Sequence, residues 1–216
     1  VKLAGMTGKR GSLDKKQYKT LDYEAIEQEQ GSKIFLFHAA IEEFKPEGME
    51  HVQGTSMKAL PRGCAYYAGG HVHYRFIKQT LDGTVAFPGP VCPNSFTEWV
   101  DLKKGSYLDV HIPVAGERPA KIQERFVSIY EPKHIIIDVE GKEPGEVASA
   151  IEESLVDITE KIVLLTLKGT LKSGTISDIH LEQVKSLAYE RGAYSILKNT
   201  SLVNIPRLDT EHQEVR

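Results

Sequence analysis

The strongest constraint on the fold is an alternation in the second half of the chain. Apolar runs at 134–140, 162–171 and 193–197 read as strands. Between them lie two stretches whose apolar residues recur at helical spacing. Val147, Ile151 and Leu155 stand at i, i+4 and i+8, and Leu181, Val184, Leu187 and Ala188 form a second stripe. The first stripe predicts a helix over 144–156. The second predicts a helix capped by Asp178 and stopped by Gly192. This β-α-β-α-β order is that of a small two-layer α/β domain over 133–204. Its boundary falls at Tyr130-Glu131-Pro132-Lys133, and the polar residues 205–216 read as a loose tail.

The first half reads as strands joined by loops. Strands are expected at 2–6, 33–37, 65–68, 74–79, 84–87 and 121–129. Leu13, Tyr18, Leu21, Ala25 and Ile26 fit one helix or two abutting ones, with Ser12 or Asp22 as caps and Gly31 as the stop. Leu81-Asp82-Gly83 marks a hairpin, and Pro88-Gly89-Pro90 a forced turn. A second hairpin is expected from 96–102 and 107–112 around Lys103-Lys104-Gly105-Ser106. On it Trp99 is core rather than a base-stacking platform.

Composition excludes some classes. Hydrophobic residues are 40% and charged residues 26%, as in ordinary globular proteins, so disorder is a poor reading. The longest purely apolar runs, such as 135–137 and 162–165, fall far short of the roughly 20 residues that a membrane helix needs. Cys64 and Cys92 are too few for a disulfide scaffold and read as reduced thiols. Net charge is −3, but it divides unevenly: residues 1–125 carry 17 basic and 15 acidic side chains, and residues 126–216 carry 10 and 15. The chain opens on Val1-Lys2-Leu3-Ala4-Gly5, without an initiator Met or a signal-peptide pattern, as if in mid-strand.

Three histidines are the candidates for chemistry, against the ordinary reading of a histidine after a strand as a hydrogen-bonded core or rim residue. His38 ends an apolar strand, Ile34-Phe35-Leu36-Phe37-His38. His71 and His73 follow a strand and two glycines, in Gly69-Gly70-His71-Val72-His73. Ligands of open α/β sheets sit at the carboxyl ends of strands. In extended backbone, residues i and i+2 point to one side, so His71 and His73 could hold one metal or two adjacent ones. Gly69 and Gly70 would let the backbone pass close to the site.

These two stretches, with Phe87-Pro88-Gly89 after a hairpin, resemble the later motifs of the calcineurin-like metallophosphoesterases. The likeness is greater to one branch, the SbcD or meiotic-recombination-eleven nuclease subunits of archaeal double-strand-break repair complexes. It rests also on Gly5-Met6-Thr7-Gly8-Lys9-Arg10-Gly11-Ser12-Leu13, on Tyr66-Tyr67-Ala68 before the glycines, and on Ser195-Ile196-Leu197-Lys198-Asn199-Thr200.

The resemblance implies an α+β fold: the second half of a metallophosphoesterase β-sandwich over 1–129, followed by the capping domain. It implies a DNA exo- and endonuclease using two manganese ions, with His38 and His71 on the second metal and His73 on the first. Paired metals stabilise the attacking and leaving oxygens of a phosphodiester. DNA, an ABC-type SMC-like ATPase subunit and a homodimer of the complete protein would be its partners. It would lie in the cytoplasm at the nucleoid, with no membrane contact.

The chain departs from the family's pattern. No Gly-Asp and no Asn-His pair occurs, so the earlier carboxylate, Asn and His motifs are absent. Two Asp-x-His strings are decoys: Asp109 and His111 face solvent opposite Leu108 and Val110, and Asp178 is a cap. The chain is therefore expected to be a C-terminal fragment without nuclease activity of its own. Lys58 and Arg62, and the early basic residues Lys9 and Arg10, are candidate phosphate contacts. A non-catalytic DNA- or partner-binding module, or another calcineurin-like phosphoesterase, are the competing functions.

Overall fold

A computed structural model describes residues 1–8, 17–18, 20–112 and 120–205. Lys9, Arg10, the Ser12 cap with Leu13, and residues 206–216 of the expected tail lie outside the described residues. The chain divides into two compact units. One is Val1–Cys92 with Gly105–Val127; the other is Pro93–Lys104 with Ser128–Arg216.

The first unit holds β1 (Lys2–Gly5), α1 (Tyr23–Gln28), β2 (Lys33–His38), β3 (Ala40–Ile41), β4 (Gly54–Thr55), β5 (Tyr66–Gly70), β6 (Arg75–Gln79) and β7 (Thr84–Pro88). Its main sheet runs β1-β2-β5-β7-β6. The first four strands are parallel, and β6 pairs antiparallel with β7 through the expected hairpin. Alternation along β2 sends Phe35 and Phe37 to one face, where they share a core with Tyr67, Val85 and Phe87. Each such side chain contributes about 1.5–3 kcal/mol through burial. Asp22 caps α1 by accepting from the Ala25 amide at 3.1 Å. At the other end of α1, buried Lys33 donates to the Glu27 carbonyl at 2.7 Å, where the helix dipole favours a cation.

The opposite face of the sheet is covered by a hairpin of β8 (Gly105–His111) and β9 (Lys121–Val127), paired from Gly105↔Val127 to His111↔Lys121. Leu108, Val110 and Ile122 pack there against Tyr66 and Ala86. Asp109 and His111 are exposed, as the alternation requires.

The expected second hairpin does not form. Residues 96–102 do not pair with 107–112; they form a helix, α2 (Phe96–Leu102). Ser95 accepts from the Glu98 amide at 3.2 Å, and the Glu98 carboxylate accepts from the Asn94 amide at 2.9 Å. Lys103, at φ 61°, ends the helix. Phe96, Trp99 and Val100 then fall on one face at i, i+3 and i+4, a spacing a strand cannot use.

In the second unit, β10 (Pro132–Asp138), β11 (Ile162–Thr170) and β12 (Ser195–Asn204) form a parallel sheet in that order. The helices α3 (Pro144–Ser154) and α4 (Leu181–Glu190) supply the connections. Val147, Ile151, Val184 and Ala188 pack with Val163, Leu165 and Leu167. Trp99 of α2 packs with Ile162 and Leu164, which alternate to the other face. The unit therefore has three layers rather than two, and residues 93–104 belong with it rather than with the first unit. Double coverage explains why β11 is buried continuously from Ile162 to Leu167.

Asp178 does not cap α4. It accepts from the Thr175 amide at 2.7 Å and closes a 3-10 turn, Ile176–Ile179; α4 starts beyond His180, at φ 54°. The protein is thus mixed α and β, with several sheets and a few helices. Among the described residues, no helix is long and apolar enough to cross a membrane.

Candidate metal centre

Parallel strands bring the histidines together. His38 is the last residue of β2, and in the β2–β5 ladder it stands opposite Gly70, the last residue of β5. His71 is one step further along. The His38 and His71 rings meet at 5.2 Å between centroids, 62° apart in plane, across 33 residues of sequence. Both are exposed. The contact lies at the carboxyl edge of the sheet, where strand ends leave room for a ligand.

Two glycines make space for the His38 ring. A Cβ at Gly70 would lie 2.9 Å from Nδ1, and one at Gly8, just beyond β1, would lie 2.7 Å from Cγ. Gly69 serves packing rather than the site: a Cβ there would sit 2.7 Å from Cδ1 of the fully buried Phe87. Gly8 was missed by sequence reasoning, although a glycine just past the first strand of a parallel set was the available signal.

His71 has φ 86°, a left-handed conformation that costs a β-carbon-bearing residue on the order of 1 kcal/mol. The backbone is therefore not extended at His71, and the i, i+2 argument linking it to His73 does not apply. The structure pairs His71 with His38. His73 is exposed two residues on. Among the described residues, no group of three or more His, Cys, Asp or Glu side chains is arranged to hold a metal ion.

Buried hydrogen bonds hold the strand that carries the glycines. The Tyr67 hydroxyl donates to the Pro61 carbonyl at 2.8 Å and accepts from the Cys64 amide at 3.4 Å. Burial raises the Tyr67 hydroxyl far above its ordinary pKa, which keeps it a neutral donor. Phe87 is wedged among Phe37, Tyr74 and Phe76 at 5.5, 5.5 and 6.3 Å.

Lys58 and Arg62 are exposed and flank the buried Leu60 and Pro61. The Arg62 amide donates to the Glu27 carboxylate at 2.7 Å, beside the segment that leads into the start of β2. Arg62 thus stands by the amino edge of the sheet. The six residues of β2, roughly 16 Å of strand, separate that edge from His38. Closeness in sequence to the histidines does not bring Arg62 close to them in space. Lys9 and Arg10 lie outside the described residues. Cys64 is buried and Cys92 exposed, neither in a disulfide, and His51 is exposed as expected.

The donor chemistry can be set against manganese. His38 and His71 offer imidazole nitrogens, whereas this hard ion favours carboxylate and water oxygens. Two imidazoles alone supply at most part of one such coordination shell. No family model matches the chain.

Proposed function

We propose that this chain is part of a calcineurin-like metallophosphoesterase of the double-strand-break nuclease type, contributing the later histidine ligands of its metal site. The observation that carries the reading is the meeting of His38 and His71 at the carboxyl ends of adjacent parallel strands, with Gly8 and Gly70 clearing space for the ring. In this reading the five-stranded sheet and the β8–β9 hairpin are half of the phosphoesterase sandwich, and the second unit is the cap. Carboxylates from residues outside this chain complete a two-manganese site that hydrolyses DNA phosphodiesters. An ABC-type ATPase subunit and a second copy of the complete protein are its partners, at the nucleoid in the cytoplasm.

The test uses the gene product that carries this chain, with linear double-stranded and hairpin DNA and manganese. Metal-dependent cleavage is expected, and it should be lost in H38A and H71A. The 216-residue chain alone should not cleave. Absence of cleavage by the whole product, or cleavage indifferent to both substitutions, overturns the reading.

A further inference from the structure

The amino edge of the second unit's sheet carries a cleft that the histidine site does not use. It holds about 450 Å³ and is lined by Ile129, Tyr130, Glu131, Thr159, Glu160 and Lys161. Tyr130 stacks on Tyr194, with centroids 3.6 Å apart and planes 18° apart. The stack is closed to an intercalating ring, but Tyr194 is 55% and Ile129 66% exposed. Contiguous exposed apolar surface rimmed by polar residues marks interaction sites.

The frame is fixed by backbone bonds. The Ile162 amide donates to the Glu131 carbonyl at 3.0 Å, the Glu160 amide to the Gly192 carbonyl at 2.8 Å, and the Tyr194 amide to the Lys161 carbonyl at 2.9 Å. A preformed cleft saves its ligand the entropy of ordering it.

Charge selects the occupant. Glu131 and Glu160 are exposed and have no ion-pair partner among the described residues, whereas Lys161 is paired with Asp157 at 3.7 Å. The surrounding unit is acidic, with eight basic against twelve acidic side chains over 128–205. Phosphate-bearing ligands are disfavoured at such a rim. Two unpaired carboxylates beside an exposed aromatic stack and an apolar wall suit a guanidinium on an aliphatic stem. The planar cation stacks on tyrosine while its N–H groups donate to carboxylates.

We infer that this cleft receives an arginine side chain from a partner protein. Tyrosine and arginine, with tryptophan, are enriched among the residues that dominate interface energetics. Ile129 covers the stem, the Tyr130–Tyr194 stack takes the guanidinium face, and Glu131 and Glu160 take its edge.

The test titrates the full chain with an acetylated, amidated Gly-Leu-Arg-Leu-Arg-Gly peptide and with versions carrying lysine or glutamate in place of arginine. Amide NMR shifts are the readout. The arginine peptide should move the amides of Tyr130, Glu131, Glu160, Lys161 and Tyr194, the lysine peptide should bind several-fold more weakly, and the glutamate peptide should not bind. An E131Q/E160Q double variant, changed only at exposed positions, should lose at least tenfold in affinity for the arginine peptide. Equal binding of the arginine and lysine peptides, an unaffected double variant, or stronger perturbation of these amides by a thymidine oligonucleotide at the same salt would overturn the inference.

Discussion

Replacing Gly69 by alanine tests the packing beneath the histidine pair. The new methyl would lie 2.7 Å from Phe87 Cδ1, where ordinary contacts begin near 3.4 Å. Neither side can retreat cheaply. β5 is hydrogen-bonded between β2 and β7, and the Phe87 ring is wedged among Phe37, Tyr74 and Phe76. Overpacking of this kind costs about 1–3 kcal/mol. At about 2 kcal/mol, the opening equilibrium of the first unit rises roughly 30-fold.

Hydrogen exchange is the assay of choice because Trp99, the sole tryptophan, belongs to the second unit and its fluorescence reports there. Amides of β2, β5 and β7 should exchange about 30-fold faster in G69A. Shrinking the obstacle in G69A/F87L should recover part of that protection relative to F87L alone. G70A, whose methyl meets the exposed His38 imidazole instead, should leave protection nearly unchanged while displacing the ring. Unchanged exchange in G69A, or a double mutant that is strictly additive, would refute the steric argument.

Two further outcomes are expected at other sites. W99A should destabilise the second unit by about 3–5 kcal/mol, because Trp99 is 5% exposed against Ile162 and Leu164; exchange should quicken in β11 and not in β5. Burial pushes the Glu43 carboxyl up, but the Ser56 hydroxyl at 2.5 Å and the Met57 amide at 3.0 Å outweigh it and hold the pKa below the ordinary glutamate value. A depressed folded value means that this stabilisation is complete above the ordinary glutamate range and fades as pH falls through the folded value. NMR titration should place the Glu43 midpoint below that range, and E43Q should flatten the acid limb of the stability curve.

Local chemistry made several parts of the fold legible in the sequence. The α3 and α4 stripes, the Leu81-Asp82-Gly83 hairpin and the Asp22 cap depend on neighbours within a few residues, and all are present. The helix at Phe96–Leu102 was legible too, through Ser95 and Glu98 at capping spacing, but the following Lys103-Lys104-Gly105-Ser106 suggested a hairpin turn instead. That turn residue cluster ends a helix just as well, since Lys103 adopts the left-handed conformation there.

The sequence by itself determined which residues could be ligands and which stretches could be strands, because donor chemistry and side-chain period are properties of short segments. Strand neighbours are another matter. That β2 lies beside β5, so that His38 meets His71, follows from sheet order and parallel register. That Gly8 rather than Gly69 clears space for the ring follows from which side chain each glycine faces. The same holds for α2, placed on the second unit by the burial of Trp99, and for the Tyr130–Tyr194 stack, closed across 64 residues. Such contacts are fixed by burying surface between segments far apart in the chain, and no local pattern encodes the partner.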